Sequence, residues 1–219
     1  MSNLILYTSG STDEPKEVHH DAAAVKLMLK RSINELQLTK ADVVLNVFPN
    51  NVIGYYAITA LPAIESGATL ISMNFDPYQY LRAFKKHQPT IIALIPKMVE
   101  ILQHTKGFQD LDMSCVRYMI MGSQTVPIEM IRMLREKGVQ IIGNWYGSTE
   151  NPPPVFVAKN GIEFDFNARI GYRISFSSEG ECHVNGVPTG DIFDTDTNKY
   201  SKRKNEVSSN RTWKTNPQG

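Results

Sequence analysis

The sequence predicts an α/β fold in which a largely parallel sheet is covered by helices on both faces. Short apolar runs alternate along the chain with longer stretches whose apolar residues recur at three- and four-residue spacing. The chain has 219 residues, of which 42% are hydrophobic, enough to bury one good core. From about residue 155 the pattern changes to short alternating segments, which predicts a small β-rich unit after the main sheet.

The strands of the main sheet are predicted from apolar runs of three to six residues. They are placed at residues 4–6, 43–47, 69–71, 90–95, 116–121 and 139–142. Helices are predicted at residues 22–36, 52–65, 77–86, 96–104 and 127–137. Three of these helices open with proline, which suits the first turn because its missing N–H has no helical partner there. In the β-rich unit, strands are predicted within residues 169–176 and 181–184.

Three regions are predicted along the chain. A run of three prolines at 152–154 marks the end of an α/β core spanning residues 1–154. The small β-rich subdomain takes residues 155–200, and residues 201–219 form a basic tail without an apolar period.

Composition excludes several classes of function. The formal charge of +1 gives no reason to expect nucleic acid or an anionic membrane as a partner. Cys115 and Cys182 form no CxxC pair, and the five histidines show no zinc-ligand spacing. We find no run of 18 apolar residues and no basic and apolar leader, and therefore expect a cytoplasmic protein.

The segment 7–16, which reads YTSGSTDEPK, is typical of a loop that holds phosphate. Its hydroxyls and N–H groups are directional donors, its lysine is a mobile cation, and its glycine lets the main chain approach an anion. It is not a Walker loop, because Lys16 is followed by Glu17. Taken alone, the composition of the segment favours a Ser- and Thr-rich surface turn, and the motifs further along the chain change that preference. The predicted phosphate-binding residues are Thr8, Ser9, Gly10, Ser11, Thr12 and Lys16.

Ligands of such sheets bind at the carboxyl ends of the strands. Each of three polar segments comes after the end of a predicted strand. The phosphate loop follows Leu6, Gly122 follows Met121, and Asn144 comes shortly after Ile142. We therefore expect these three polar segments to converge on one crevice.

A second motif, NWYGSTE, lies at residues 144–150. Together the two motifs resemble the adenylate-forming superfamily, which includes acyl- and aryl-CoA synthetases, luciferases and the adenylation domains of peptide synthetases. The family patterns read YTSGSTGxPKG and YGxTE. Asp13 and Glu17 stand where the first pattern has glycines.

The resemblance implies a role for each residue of the second motif. Tyr146 would stack on adenine, Asn144 would bond its edge, Thr149 would contact the α-phosphate or the substrate carboxylate, and Glu150 would hold magnesium. The turn formed by Gly122, Ser123 and Gln124 would line the adenine and acyl sites. The remaining nucleotide-binding residues by this resemblance are Trp145, Gly147 and Ser148.

Two later segments are also similar to the family. In the triplet 189–191, Asp191 would accept hydrogen bonds from the ribose hydroxyls. Residues 202–217 align with the family's hinge segment and place Arg203 at the arginine that contacts ribose, although Lys202 and Thr212 replace glycines.

The function implied is ATP- and magnesium-dependent activation of a small carboxylate to an acyl-adenylate, with release of pyrophosphate. Coenzyme A stays open as an acceptor. Relatives are longer at both ends, so we expect a core that lacks the amino-terminal portion and the carboxyl-terminal lid. A partner protein would then supply the lid, and apolar surface left bare would favour a homo-oligomer.

Two alternatives stay open, a catalytically silent ATP, AMP or acyl-adenylate binding module and a purely structural protein. The sequence does not name the carboxylate. Gly147 suggests an open pocket wall, which favours a medium-chain, aryl or amino-acid carboxylate over acetate.

Overall fold

The computed structural model describes residues 3–8, 16–167 and 169–204. The described helices are α1 (Ala22–Leu36), α2 (Ala60–Ser66), α3 (Pro77–His87), α4 (Pro96–Gln103) and α5 (Ile128–Glu136), and a π-helical turn (Tyr55–Thr59) precedes α2. The described strands are β1 (Leu4–Thr8), β2 (Lys16–His20), β3 (Val43–Asn46), β4 (Thr69–Ser72), β5 (Ile91–Ala93), β6 (Tyr118–Gly122), β7 (Ile142–Tyr146), β8 (Phe156–Lys159), β9 (Ile174–Phe176), β10 (Glu181–Val184), β11 (Val187–Asp194) and β12 (Lys199–Arg203).

The centre of the fold is a six-stranded sheet with the order β4-β3-β5-β6-β7-β8. Its strands β3 to β7 are parallel, and β8 runs antiparallel to β7. Helices α3, α4 and α5 cover one face, while α1 and α2 cover the other. Alternate residues of a strand serve opposite faces, so Ile91 belongs to one core and Ile92 to the other. The predicted fold class is confirmed.

Strands β9 to β12 form a separate antiparallel sheet, as expected for the β-rich unit. Its core residues Cys182, Val184 and Phe193 pack against Phe156 of β8. The division at residue 154 stays a prediction, although β8, which follows it, pairs with the main sheet. The predicted tail begins inside β12, because residues 201–203 continue the ladder to β11. Residues 205–219 lie outside the described residues.

The first strand differs from its prediction. β1 pairs antiparallel with β2, with Leu4 opposite His20 and Thr8 opposite Lys16, in a two-stranded sheet of its own. The expectation that the phosphate loop follows a strand of the parallel sheet was therefore wrong. An apolar run of three residues does not by itself specify its partner strand, and the charged segment that follows the loop provides that partner.

β7 also differs, since it begins at Ile142 rather than at residue 139. The N–H of Val139 bonds the carbonyl of Leu134 at the end of α5, so these residues close the helix instead of opening the strand. Asn144 consequently lies within β7 and not after its end. No helix among the described residues is long and apolar enough to cross a bilayer.

A buried ion pair joins three strands at the amino-terminal edge of the sheet. Asp42, before β3, accepts hydrogen bonds from Arg117 Nε at 2.7 Å, Arg117 Nη2 at 2.8 Å and Thr90 Oγ1 at 2.7 Å. Burial alone would raise the pKa of Asp42, but bonds from Arg117, Thr90 and the N–H of Thr39 outweigh it and lower the pKa to about 2.

We predict that Asp42→Asn lowers the free energy of unfolding at pH 7 by about 2 kcal/mol. The folded-state pKa is depressed, so this contribution is fully present above the unfolded pKa, near 4, and is lost as pH falls through about 2. Urea unfolding at pH 7 and at pH 3 should show the gap between wild type and variant shrinking in acid. The exposed Asp110→Asn serves as the control, and a gap independent of pH would contradict the prediction.

Candidate functional site

Candidate-site and core side chains alternate along β7. Asn144 and Tyr146 point to one side of the sheet, while Trp145 points to the other. Trp145 is 3% exposed and donates from Nε1 to the Tyr118 hydroxyl at 3.2 Å. Its side chain is therefore a core group, so the predicted nucleotide contact of Trp145 can involve only its main chain.

Asn144 lies beside Met121 of β6 and is 8% exposed. Within the described part of the chain, its amide makes no side-chain hydrogen bond. A sheltered amide of this kind can both donate and accept, and its polar atoms favour a polar ligand edge as a partner.

Tyr146, Asp191 and Arg203 come together from distant parts of the chain. The Tyr146 hydroxyl donates to Asp191 Oδ2 at 2.8 Å. Asp191 lies opposite Arg203 in the β11 and β12 ladder, with Arg203 Nη1 3.8 Å from Asp191 Oδ1. Burial, and then the charge of Asp191, raise the pKa of Tyr146, so it is a neutral hydrogen-bond donor at physiological pH.

The Tyr146 ring is held in place by an aromatic cluster. It stacks on Phe156 with centroids 4.5 Å apart and an interplanar angle of 15°, and it meets Phe193 edge to face at 5.2 Å. These contacts fix the ring plane, as a stacking platform for a base requires.

The segment after β7 forms a tight turn. The N–H of Ser148 donates to the carbonyl of Asn151 at 2.9 Å, and the N–H of Asn151 donates back to Ser148 Oγ at 3.1 Å. Between these residues Thr149 is half-buried and Glu150 is exposed. Ser148 therefore shapes the turn that presents Thr149 and Glu150.

Gly147 does not leave a pocket wall open, so that part of the sequence interpretation was wrong. A Cβ on Gly147 would lie 2.7 Å from the Pro153 nitrogen and 2.9 Å from the Asn151 carbonyl oxygen. The glycine is needed because the returning main chain fills the space beside it.

The turn after β6 lies next to β7. Gly122 pairs with Trp145, and a Cβ on Gly122 would lie 2.8 Å from the Trp145 carbonyl oxygen. Ser123 follows with a φ of 65°, in the left-handed region that few residues other than glycine adopt, and both it and Gln124 are exposed. Such strained residues cluster at functional sites.

The β1 and β2 hairpin is attached to the turn after β7 by His20. Its Nε2 lies 2.8 Å from the carbonyl oxygen of Thr149, and the residue is 7% exposed. Because a carbonyl only accepts, Nε2 must carry the hydrogen. Lys16 begins the same strand, opposite Thr8. Ser9, Gly10, Ser11 and Thr12 lie outside the described residues.

A role for His20 was not predicted from the sequence, because the histidines of the chain were considered only as zinc ligands. The available signal was its position shortly after the phosphate motif, with a helix cap next to it at Asp21. Nothing in the sequence indicated a contact 129 residues away.

Glu150 is the predicted magnesium ligand. No group of three or more His, Cys, Asp or Glu side chains in the described ranges could hold a metal ion. Magnesium commonly uses one or two carboxylates together with the phosphates of a substrate. A single exposed carboxylate therefore fits magnesium that arrives with a nucleotide, and not a metal held by protein alone.

Comparison with known proteins decides the family. The family described as AMP-binding enzyme matches residues 3–179. The chain belongs to this family. It is similar to the indoleacetate–CoA ligase of Aromatoleum aromaticum, with 31% identity over 151 residues that cover 68% of this chain and 29% of the ligase. It is also similar to a CoA ligase of Mycobacterium tuberculosis that is named for a propanoyl group carrying a methyl-dioxo-octahydroindenyl substituent. The identity is 33%, over 67% of this chain and 29% of that ligase.

Solved structures of AMP-binding enzymes share the fold. O-succinylbenzoate CoA synthetase from Bacillus subtilis, in complex with its acyl-adenylate intermediate, aligns with a TM-score of 0.76 and 20% identity over 91% of this chain and 49% of that chain. The amino-terminal domain of FACL13 from M. tuberculosis aligns at 0.74 and 19% identity over 91% of this chain and 60% of that chain. The chain spans less than a third of the length of the two curated ligases.

We predict that Gly147→Ala lowers the free energy of unfolding by roughly 1–3 kcal/mol, because the added methyl overlaps the main chain of Pro153. Chemical denaturation measures the change. Gly161→Ala is the matched control, since a Cβ there meets its nearest neighbour at 3.9 Å. Equal stability of the two variants would contradict the close contact at Gly147 and would again favour an open pocket wall there.

Proposed function

We propose that this AMP-binding family member binds ATP at the site around β7 and activates a small carboxylate as an acyl-adenylate. The observation that carries the proposal is the hydrogen bond between Tyr146 and Asp191, which unites the adenine residue and the ribose residue expected from the sequence. Membership of the family and its ligase relatives support the same reaction class.

On the nucleoside side, Asn144 and Tyr146 would receive the base, and Asp191 would accept from the ribose hydroxyls. Arg203, about half exposed and across the ladder from Asp191, adds a positive charge on the same side. The polar atoms of Gly122, Ser123 and Gln124 would border the base, since their turn lies against Trp145.

On the phosphate side, Lys16, Thr149 and Glu150 would bring the reacting groups together. A carboxylate oxygen attacks the α-phosphorus, the bond from that phosphorus to the bridging oxygen breaks, and pyrophosphate leaves with the electron pair. Lys16 offsets the charge that develops on the departing phosphate, and Thr149 donates to an α-phosphate oxygen or to the carboxylate. Magnesium bound by Glu150 and the phosphates would neutralise further charge.

The names of several relatives support one substrate class, although a long-chain-fatty-acid ligase is also among them. Their names include ligases of indoleacetate, ferulate and 4-coumarate, which are aryl acids. We therefore propose an aryl carboxylate. Transfer of the acyl group to coenzyme A, with a lid supplied by a partner, is a further proposal beyond adenylation, because the chain covers under a third of these ligases. Cytoplasmic location and self-association stay predictions.

The second candidate is a module that binds ATP or an acyl-adenylate without turnover. Asp13 and Glu17 favour it, because they place carboxylates in and beside the predicted phosphate loop, where the family pattern has glycines. Binding and turnover separate the two functions.

Magnesium-dependent exchange of labelled pyrophosphate into ATP, across a panel of aryl and aliphatic acids, tests turnover. We expect exchange with aryl acids and a loss of roughly thirty- to a thousand-fold in Lys16→Ala and in Glu150→Gln, the range for removing one preorganised charge. Lys97→Ala and Glu129→Gln, which alter exposed ion pairs on α4 and α5, are matched controls. ATP binding without exchange would favour the silent module, and the absence of both would overturn either function.

A second experiment tests the ribose contact. Asp191→Ala should weaken ATP binding by roughly ten- to a hundred-fold, the value of hydrogen bonds to a charged group, yet it should weaken 2′,3′-dideoxy-ATP far less. Calorimetric titration of both nucleotides into wild type and variant measures this difference. Asp196→Ala in the exposed turn after β11 is the control, and equal losses for both nucleotides would contradict the assignment.

A further inference from the structure

We propose that His20 is a positioning residue that fixes β2, the strand that begins with Lys16, relative to Thr149 and Glu150. It acts through its hydrogen bond to the Thr149 carbonyl, which is 2.8 Å long. His20 itself is only 7% exposed to solvent. This inference rests on the proposed ATP site, in which Lys16 of β2 and the turn with Thr149 and Glu150 would contact the same triphosphate.

Among the described hairpin residues, few side chains are buried, although Leu4 packs against the core cluster of α1, so a specific contact has a large influence on the position of the hairpin. It forms a sheet separate from the main one. Most of its described side chains face solvent, including Ile5 at 46% and Tyr7 at 63% exposure, while Leu6 and His20 are its buried ones. A hairpin held by few buried groups moves easily unless a specific contact sets its place.

Two hydrogen bonds join the base of the hairpin to the start of α1, next to His20. Asp21 caps α1 by accepting from the N–H of Ala24 at 2.7 Å. Asn3 accepts from the N–H of Ala22 at 3.1 Å, on the other side of the same helix start. His20 therefore projects from the junction of a strand and a capped helix.

The same helix reaches the other end of the turn. Arg31 of α1 donates to the hydroxyl of Tyr172 at 3.0 Å, and that hydroxyl donates to the carbonyl of Pro152 at 2.9 Å. Thr149 is thus bonded directly to the hairpin, and Pro152 is linked to α1 through Tyr172. Of the two ties, the one from His20 lies on the strand that begins with Lys16.

A shift of the hairpin would separate Lys16 from Thr149 and Glu150, and misplacement by about 1 Å is enough to cost a large factor in a site that depends on orientation. The base and ribose contacts lie on β7, β11 and β12 and would be unaffected. His20 should accordingly matter for phosphates and not for the nucleoside.

The test compares ATP with adenosine, by calorimetric titration of His20→Phe, His20→Gln and wild type. We expect His20→Phe, which fills the space without a donor, to raise the Kd for ATP about tenfold and to leave the Kd for adenosine unchanged. His20→Gln, whose amide restores an N–H donor, should recover most of the loss. His19→Leu is the matched control one residue away, because His19 is 63% exposed and pairs only with Glu17 among the described residues.

The outcomes are separable. If the wild-type protein binds no ATP, the proposed function itself is wrong. A wild type that binds ATP, with His20→Phe binding ATP as tightly or losing adenosine equally, overturns the positioning role. If His20→Phe fails to fold in urea titrations, His20→Asn replaces it, since its shorter amide stays polar but falls short of the Thr149 carbonyl. His20→Asn should then bind ATP more weakly than His20→Gln, and equal affinity would refute the role.

Discussion

The close pairing of β6 with β7 is the constraint on which the candidate site depends. Gly122 lets the two strands approach, since a Cβ there would meet the Trp145 carbonyl, and Gly143 leaves room for the Tyr118 ring beneath β7. β7 in turn carries Asn144 and Tyr146 and leads into the turn with Thr149. Larger residues at either glycine would push β7 away and move all of these groups together.

The face of β7 away from the site is locked by polar contacts. Trp145 donates to Tyr118, whose hydroxyl donates to Glu35 Oε1 at 3.0 Å. Glu35 is paired with Lys159 at 2.7 Å and with Arg169 at 3.1 Å, so its charge is compensated although its side chain is only 7% exposed. A satisfied network on one face lets the other face keep a sheltered amide, Asn144, for a ligand.

Periodicity and caps allowed much of the fold to be predicted. Helix α1 was placed to the residue, because its apolar spacing is regular and Asp21 provides a cap. Strand partners were not predictable from short apolar runs, as β1 shows by pairing with the charged strand β2. In the candidate site, the motifs singled out Tyr146 and Asp191, which the structure joins by a hydrogen bond. The surroundings of Trp145, Gly147 and His20 depend on contacts across the fold that no local pattern encodes.

Glu17 directly follows Lys16, and a carboxylate beside the lysine could offset its positive charge. Adjacent residues of a strand point to opposite faces, so the carboxylate of Glu17 is directed away from the side that Lys16 occupies. Glu17 also lies 3.2 Å from His19 and accepts from the Tyr7 hydroxyl at 3.3 Å. At 47% exposure its repulsion of phosphate is screened by water and salt. Glu17 therefore supports a silent module less strongly than the sequence alone suggests.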